Sequence, residues 1–125
     1  MNAIDGSVLE ELLQVMGEDL AALVVAFEKD SLQRLSLIEA AAARGEADTV
    51  RSLAHTLKGG ALGMGANSFA RYCRGIELCG REAALVNVDT ELANARRSLR
   101  EALSAINGWL SVQGCQKNDS LRFSK

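Results

Sequence analysis

Residues 18–45 read EDLAALVVAFEKDSLQRLSLIEAAAARG, and the spacing within them decides the fold class. Leu20, Leu23, Val24, Phe27, Leu35, Ile38 and Ala42 recur at steps of three and four, with two turns between Phe27 and Leu35, the interval at which side chains share one face of an α-helix. The segment is rich in alanine and leucine and holds no proline, so nothing interrupts the helix before Arg44-Gly45. Val25, Leu32 and Leu37 fall off the stripe, and that flank is expected to receive a short neighbouring helix. A sheet would call for β-branched and aromatic residues, yet aromatics make up only 4% of the chain.

The same period extends in both directions. Ser7-Val8-Leu9-Glu10 has the S-x-x-E form of a capping box and predicts a short helix to about Met16, with Gly17 as a break. Val50, Leu53, Ala54, Leu57, Ala61 and Met64 predict a helix from Glu46 to Met64, stopped by Gly65. Phe69, Tyr72, Cys73, Ile76 and Cys79 or Gly80 form the next stripe, and Val88, Leu92, Ala95, Leu99, Leu103, Ile106 and Leu110 the last. Phe69, Tyr72 and Trp109 lie on these stripes and read as packing residues. Four long amphipathic helices cannot bury their stripes singly, and short connections make consecutive helices antiparallel. The expected architecture is therefore all-α: an antiparallel up-and-down four-helix bundle with a short additional N-terminal helix, forming one domain over residues 1–113. Residues 114–125 show no periodicity and are expected to be disordered.

Composition removes several function classes. The 14 Lys and Arg against 16 Asp and Glu give a formal charge of -2, which offers no basic face to nucleic acid. Cys73, Cys79 and Cys115 are odd in number, lack CxxC spacing and have no histidine nearby, so neither a disulfide framework nor a zinc site is expected. The N-terminus has no signal-peptide pattern, and LAALVVAF at 20–27 is the longest apolar run, far short of the about 20 residues that span a bilayer. A soluble, cytoplasmic protein without membrane partners, bound cofactor or metal is expected.

The chemistry concentrates in residues 54–66, AHTLKGGALGMGA, which hold the chain's one histidine. On the helical wheel His55 points away from the apolar stripe, with Arg51, Ser52, Lys58 and Gly59 as neighbours one turn away. An exposed helix face is ordinarily filled with good helix formers, and each glycine there costs about 1 kcal/mol relative to alanine. Gly59 beside the imidazole implies that something must come close. From Thr49 through Ile76 there is no Asp or Glu, whereas Arg51, Lys58, Arg71 and Arg74 all occur. A histidine with a lysine one turn away, on a surface expected to be free of carboxylates, suits the handling of a dianionic group. A phosphate-binding P-loop does not fit, because Lys58 precedes the glycines and no strand pattern is near. A catalytic triad or a metal site fits no better, for want of acids and of ligand spacing around His55.

At these residues the sequence resembles the histidine-containing phosphotransfer (HPt) domains of bacterial phosphorelays. Their signature is matched by Ala54, His55, Leu57, Lys58, Gly59, Gly65 and Ala66, and Cys73 and Glu77 stand in the relation of a cysteine and a glutamate often found on the family's next helix. The resemblance implies a signalling intermediate that takes a phosphoryl group on His55 from a receiver-domain aspartate and passes it to another. It implies Lys58 as the cation near the phosphoryl group and Gly59 as the residue that gives the partner access. Response-regulator receiver domains and a hybrid sensor histidine kinase would be the partners, with Mg²⁺ held by the receiver and no autonomous kinase activity here. Many members carry a polar Ser or Asn after the Lys-Gly pair, where this chain has Gly60, Ala61, Leu62 and Gly63, so partner recognition is expected to differ. Arg51, Ser52, Leu62, Arg71 and Arg74 are the candidate partner-binding residues, and a monomer is expected. The competing reading is a noncatalytic bundle that binds and inhibits a receiver or kinase without being phosphorylated. An imidazole sealed in the interior, or faced by a carboxylate from a neighbouring segment, would contradict the carrier reading.

Overall fold

The computed structural model describes residues 3–123, with side chains over 3–113, and every regular element in it is helical. The helices are α1 (Gly6–Met16), α2 (Asp19–Ala43), α3 (Ala47–Gly63), α4 (Asn67–Arg81) and α5 (Val88–Phe123), with a 3-10 turn at Leu85–Asn87 before the last. Helices α2 to α5 form the four-helix bundle, in which α4 packs between α3 and α5 and α2 closes the ring against both α3 and α5. Residues 114–123, expected to belong to a disordered tail, are instead the last turns of α5, and 124–125 lie outside the described residues.

The core is built from the stripes. Leu20, Val24, Leu35 and Ile38 of α2 meet Val50, Ala54 and Leu57 of α3, Phe69, Cys73 and Ile76 of α4, and Leu92, Leu99 and Ile106 of α5, all buried. Phe27 and Phe69 pack edge to face with centroids 6.2 Å apart. Tyr72 and Trp109 are partly buried against the same core. On α2, Ala41 rather than Ala42 is fully buried, and Ser31 occupies a core position between Phe27 and Leu35 with no partner for its hydroxyl among the described residues.

Two expectations for the N-terminal helix are corrected. Its cap is Asp5, not Ser7: the Asp5 carboxylate accepts from the Ser7 backbone N–H at 3.0 Å and from the Ser7 hydroxyl at 2.7 Å. Asp5 reaches two residues forward as an N-cap does, so Ser7 lies inside the first turn and the capping box does not form. Nor does α1 cover the flank of α2, where Val25, Leu32 and Leu37 remain exposed. Instead the Asp5 N–H donates to the Gly65 carbonyl at 2.7 Å, and α1 caps the end of the bundle at the α3–α4 turn, burying Leu9. Its two anchors, Asp5 on Gly65 and Gly17 at the start of α2, both lie at that end.

The turns after α2, α3 and α4 share one geometry. Gly45 and Gly65 both take φ 73° and Ala83 takes φ 54°. In each, the following N–H folds back to the last turn: Glu46 to Ala41 at 2.9 Å, Ala66 to Ala61 at 2.9 Å and Ala84 to Cys79 at 2.8 Å. These tight stops make the hairpins that set α3 and α4 side by side.

Candidate functional site

The α3–α4 seam is unusually close at one point. A Cβ on Gly80 would lie 2.6 Å from the Arg51 nitrogen and 2.8 Å from the Ala47 carbonyl oxygen, so only glycine lets α4 lie against the first turns of α3. One turn before it, Glu77 lies on the buried face of α4 and reaches across to α3. Its Oε2 is 2.8 Å from His55 Nδ1, and its Oε1 accepts from Lys58 Nζ at 2.8 Å. The Glu77 side chain is 6% exposed, whereas the His55 side chain is 65% exposed. The site is thus an open imidazole fastened from beneath by a buried carboxylate.

This geometry corrects the expectation of a carboxylate-free surface and meets a condition named above as contradicting the carrier reading. The stretch without acids ends at Ile76, one residue short of Glu77, and the turn at Gly65 folds that residue under the histidine. The contact does not block the chemistry, because it engages Nδ1 and is already shared with Lys58. An ionised carboxylate only accepts, so the Nδ1–H donates to it and a neutral ring keeps its lone pair on Nε2. Burial acts to raise the Glu77 carboxyl, but the hydrogen bonds from Lys58 and His55 and their charges prevail and hold it below its ordinary value of 4.5. Glu77 therefore stays anionic at neutral pH, and it fixes the tautomer and orientation of the ring.

The remaining candidates separate into two groups. Lys58, Leu62, Arg71 and Arg74 come together with Glu77 around a groove of about 500 Å³ along the α3–α4 seam. Arg51 and Ser52 are exposed on α3 one turn before His55 and do not line that groove. Gly59 has open space where a Cβ would be, as do Gly60 and Gly63, so nothing inside the fold demands glycine at these positions. Among the described residues no cluster of three or more His, Cys, Asp or Glu could hold a metal ion. Cys73 and Cys79 are free thiols, and burial pushes the Cys73 thiol up to about 12, so it is inert at neutral pH. No helix among the described residues is long and apolar enough to cross a membrane.

Glu77 as the residue that orients His55 is what sequence reasoning missed. Its signal was present in the cysteine-then-glutamate spacing of Cys73 and Glu77, and it was outweighed by counting acids along the chain rather than across the hairpin.

The Hpt domain family profile matches residues 7–109. Among solved structures, the crystal structure of histidine-containing phosphotransfer protein B (HptB) from Pseudomonas aeruginosa PAO1 is similar, with a TM-score of 0.80 and 30% sequence identity, covering 85% of this chain and 92% of that one. No curated protein sequence matches the chain.

Proposed function

We propose that this chain, which belongs to the Hpt domain family and is an intermediate of two-component phosphorelay signalling, carries its phosphoryl group on Nε2 of His55. The observation that supports this assignment is the pairing of Nδ1 with the buried Glu77 carboxylate at 2.8 Å, which puts the one proton of the neutral ring on Nδ1 and the lone pair on Nε2 of an exposed imidazole. In the accepting step that lone pair attacks phosphorus in line. The N–P bond forms while the P–O bond to the receiver aspartate breaks, and the carboxylate departs with the electron pair. No proton has to move, because Nε2 carries none in this tautomer. The donating step is the reverse, with the aspartate of a second receiver as nucleophile.

Lys58 supplies positive charge one turn from the ring, and its ammonium keeps N–H donors beyond the one given to Glu77. Gly59 leaves bare backbone where the receiver must approach. Mg²⁺ and the acidic pocket belong to the receiver domain in this reading. A hybrid sensor histidine kinase as phosphoryl source, a monomeric state and a cytoplasmic setting complete the proposal.

Incubation with a phosphorylated receiver domain should place an acid-labile, base-stable phosphoryl group on the chain and none on His55→Ala. Equal labelling of the variant would end the assignment. ATP alone should leave the chain unlabelled, since the proposal gives it no kinase activity of its own.

A further inference from the structure

The surface around His55 is electrically one-sided. Away from α4, the exposed α3 positions Ser52, Thr56, Gly59, Gly60 and Gly63 carry neither charge nor bulk. Toward α4, a groove runs along that helix past Arg71, Arg74 and Arg81, with Glu77 and its partner Lys58 between Arg74 and Arg81, over a floor that includes Leu62 and Leu78, which are 51% and 37% exposed. Arg71, Arg74, Leu78 and Arg81 follow at steps of three and four, so they form one face of α4 that extends about 15 Å at 1.5 Å per residue. Arg34, Arg44 and Arg96 are paired with Asp30, Glu46 and Glu39, whereas the three groove arginines have no carboxylate partner among the described residues. The one carboxylate in the groove, Glu77, is already taken by Lys58 and His55.

We infer that this groove is the specificity-determining half of the docking surface, and that it takes an acidic, partly apolar segment of the receiver domain, with carboxylates that meet Arg71, Arg74 and Arg81 around an apolar side chain seated on Leu62 and Leu78. The inference rests on the carrier reading above. Continuity carries it first: Lys58 and Glu77 belong to both the groove and the histidine cluster, so a body docked on His55 covers the middle of the groove, with Arg71 and Arg74 to one side and Arg81 to the other. Charge carries it further, because a row of unpaired guanidinium groups beside an apolar floor is complementary to a segment of opposite sign and amphipathic shape. The neutral flank around Gly59 admits any receiver, whereas the basic flank orients and selects it.

The test compares wild type with the combined variant Arg71→Gln, Arg74→Gln and Arg81→Gln, using receiver domains of the source organism phosphorylated by acetyl phosphate. Single-turnover transfer is followed over receiver concentration at low and high salt. The half-saturating concentration should rise about tenfold or more in the variant at low salt, while the maximal rate changes by less than about twofold. Raising the ionic strength should slow wild type toward the variant, since salt screens exposed charges. Circular dichroism of the variant checks the fold. Equal half-saturation and equal salt response in the two proteins would overturn the groove's role while leaving the carrier reading intact. Phosphoramidate, a small donor that needs no docking surface, separates the two: wild type that gains no phosphohistidine from it or from any receiver would overturn the carrier reading and this inference with it.

Discussion

Gly59, Gly60 and Gly63 on α3 and Gly65 and Gly80 at its boundaries with the rest of the fold are the same residue used for opposite reasons. At Gly65 a Cβ would lie 2.9 Å from the Asp5 carbonyl oxygen in a backbone of φ 73°, and at Gly80 it would lie 2.6 Å from the Arg51 nitrogen. At Gly59, Gly60 and Gly63 a Cβ would meet nothing within 4 Å. The first pair clears room inside the molecule for helices to approach one another. The trio clears room outside it, beside His55, at a cost in helix stability that the isolated chain does not recover. A crowded seam brings Glu77 under the ring, and a bare face exposes the ring's other nitrogen.

Substitution should break this comparison cleanly. Gly80→Ala forces α4 off the first turns of α3 and should destabilise the fold by about 1–3 kcal/mol, as overpacking does. Urea denaturation reads this directly, and an unchanged midpoint would show that the seam is not tight. Gly65→Ala, strained both by its φ and by Asp5, belongs in the same range.

Glu77→Gln tests the link between the two regions. Losing the carboxylate that orients a functional imidazole should slow receiver-to-His55 transfer by about 10- to 100-fold. It should also alter the acid limb of stability. A carboxyl held low by folding binds fewer protons in the folded chain than in the unfolded one. Its contribution is therefore complete above about 4.5 and is lost as pH falls through the lowered folded value. Wild type should lose stability in that window relative to Glu77→Gln, and parallel acid denaturation curves would contradict the buried pairing.

Gly59→Gln should do the reverse of Gly80→Ala. Replacing an exposed helical glycine should stabilise the chain by up to about 1 kcal/mol while slowing transfer from every receiver. If transfer keeps its rate, the bare face has no part in access.

The smallest effects lie away from the site. Ala83 holds the left-handed position that Gly45 and Gly65 hold elsewhere, so Ala83→Gly should stabilise the fold by about 1 kcal/mol. Thermal unfolding would register it as a rise of a few degrees, without a change in transfer.

The bundle itself was legible, because apolar residues at three- and four-residue steps from Leu20 to Ile38 and from Val50 to Met64 leave no other economical burial. Gly65 as a stop was equally plain. What escaped reading depended on contacts between elements. Ser7 satisfies a cap pattern, yet the cap is Asp5, whose N–H is tethered to Gly65. Ser31 sits on the core stripe though its side chain is polar, and Ala83 adopts a glycine-like φ without being glycine. Glu77 is 22 residues from His55 along the chain and one hydrogen bond away in space.

The most direct measurement is ¹⁵N NMR of the His55 ring before and after phosphorylation by a receiver domain. Before it, Nδ1 should be the protonated nitrogen, and after it the phosphoryl group should be on Nε2 with Nδ1 still protonated. A phosphoryl group on Nδ1, or a resting ring protonated on Nε2, would show that Glu77 does not set the reacting nitrogen.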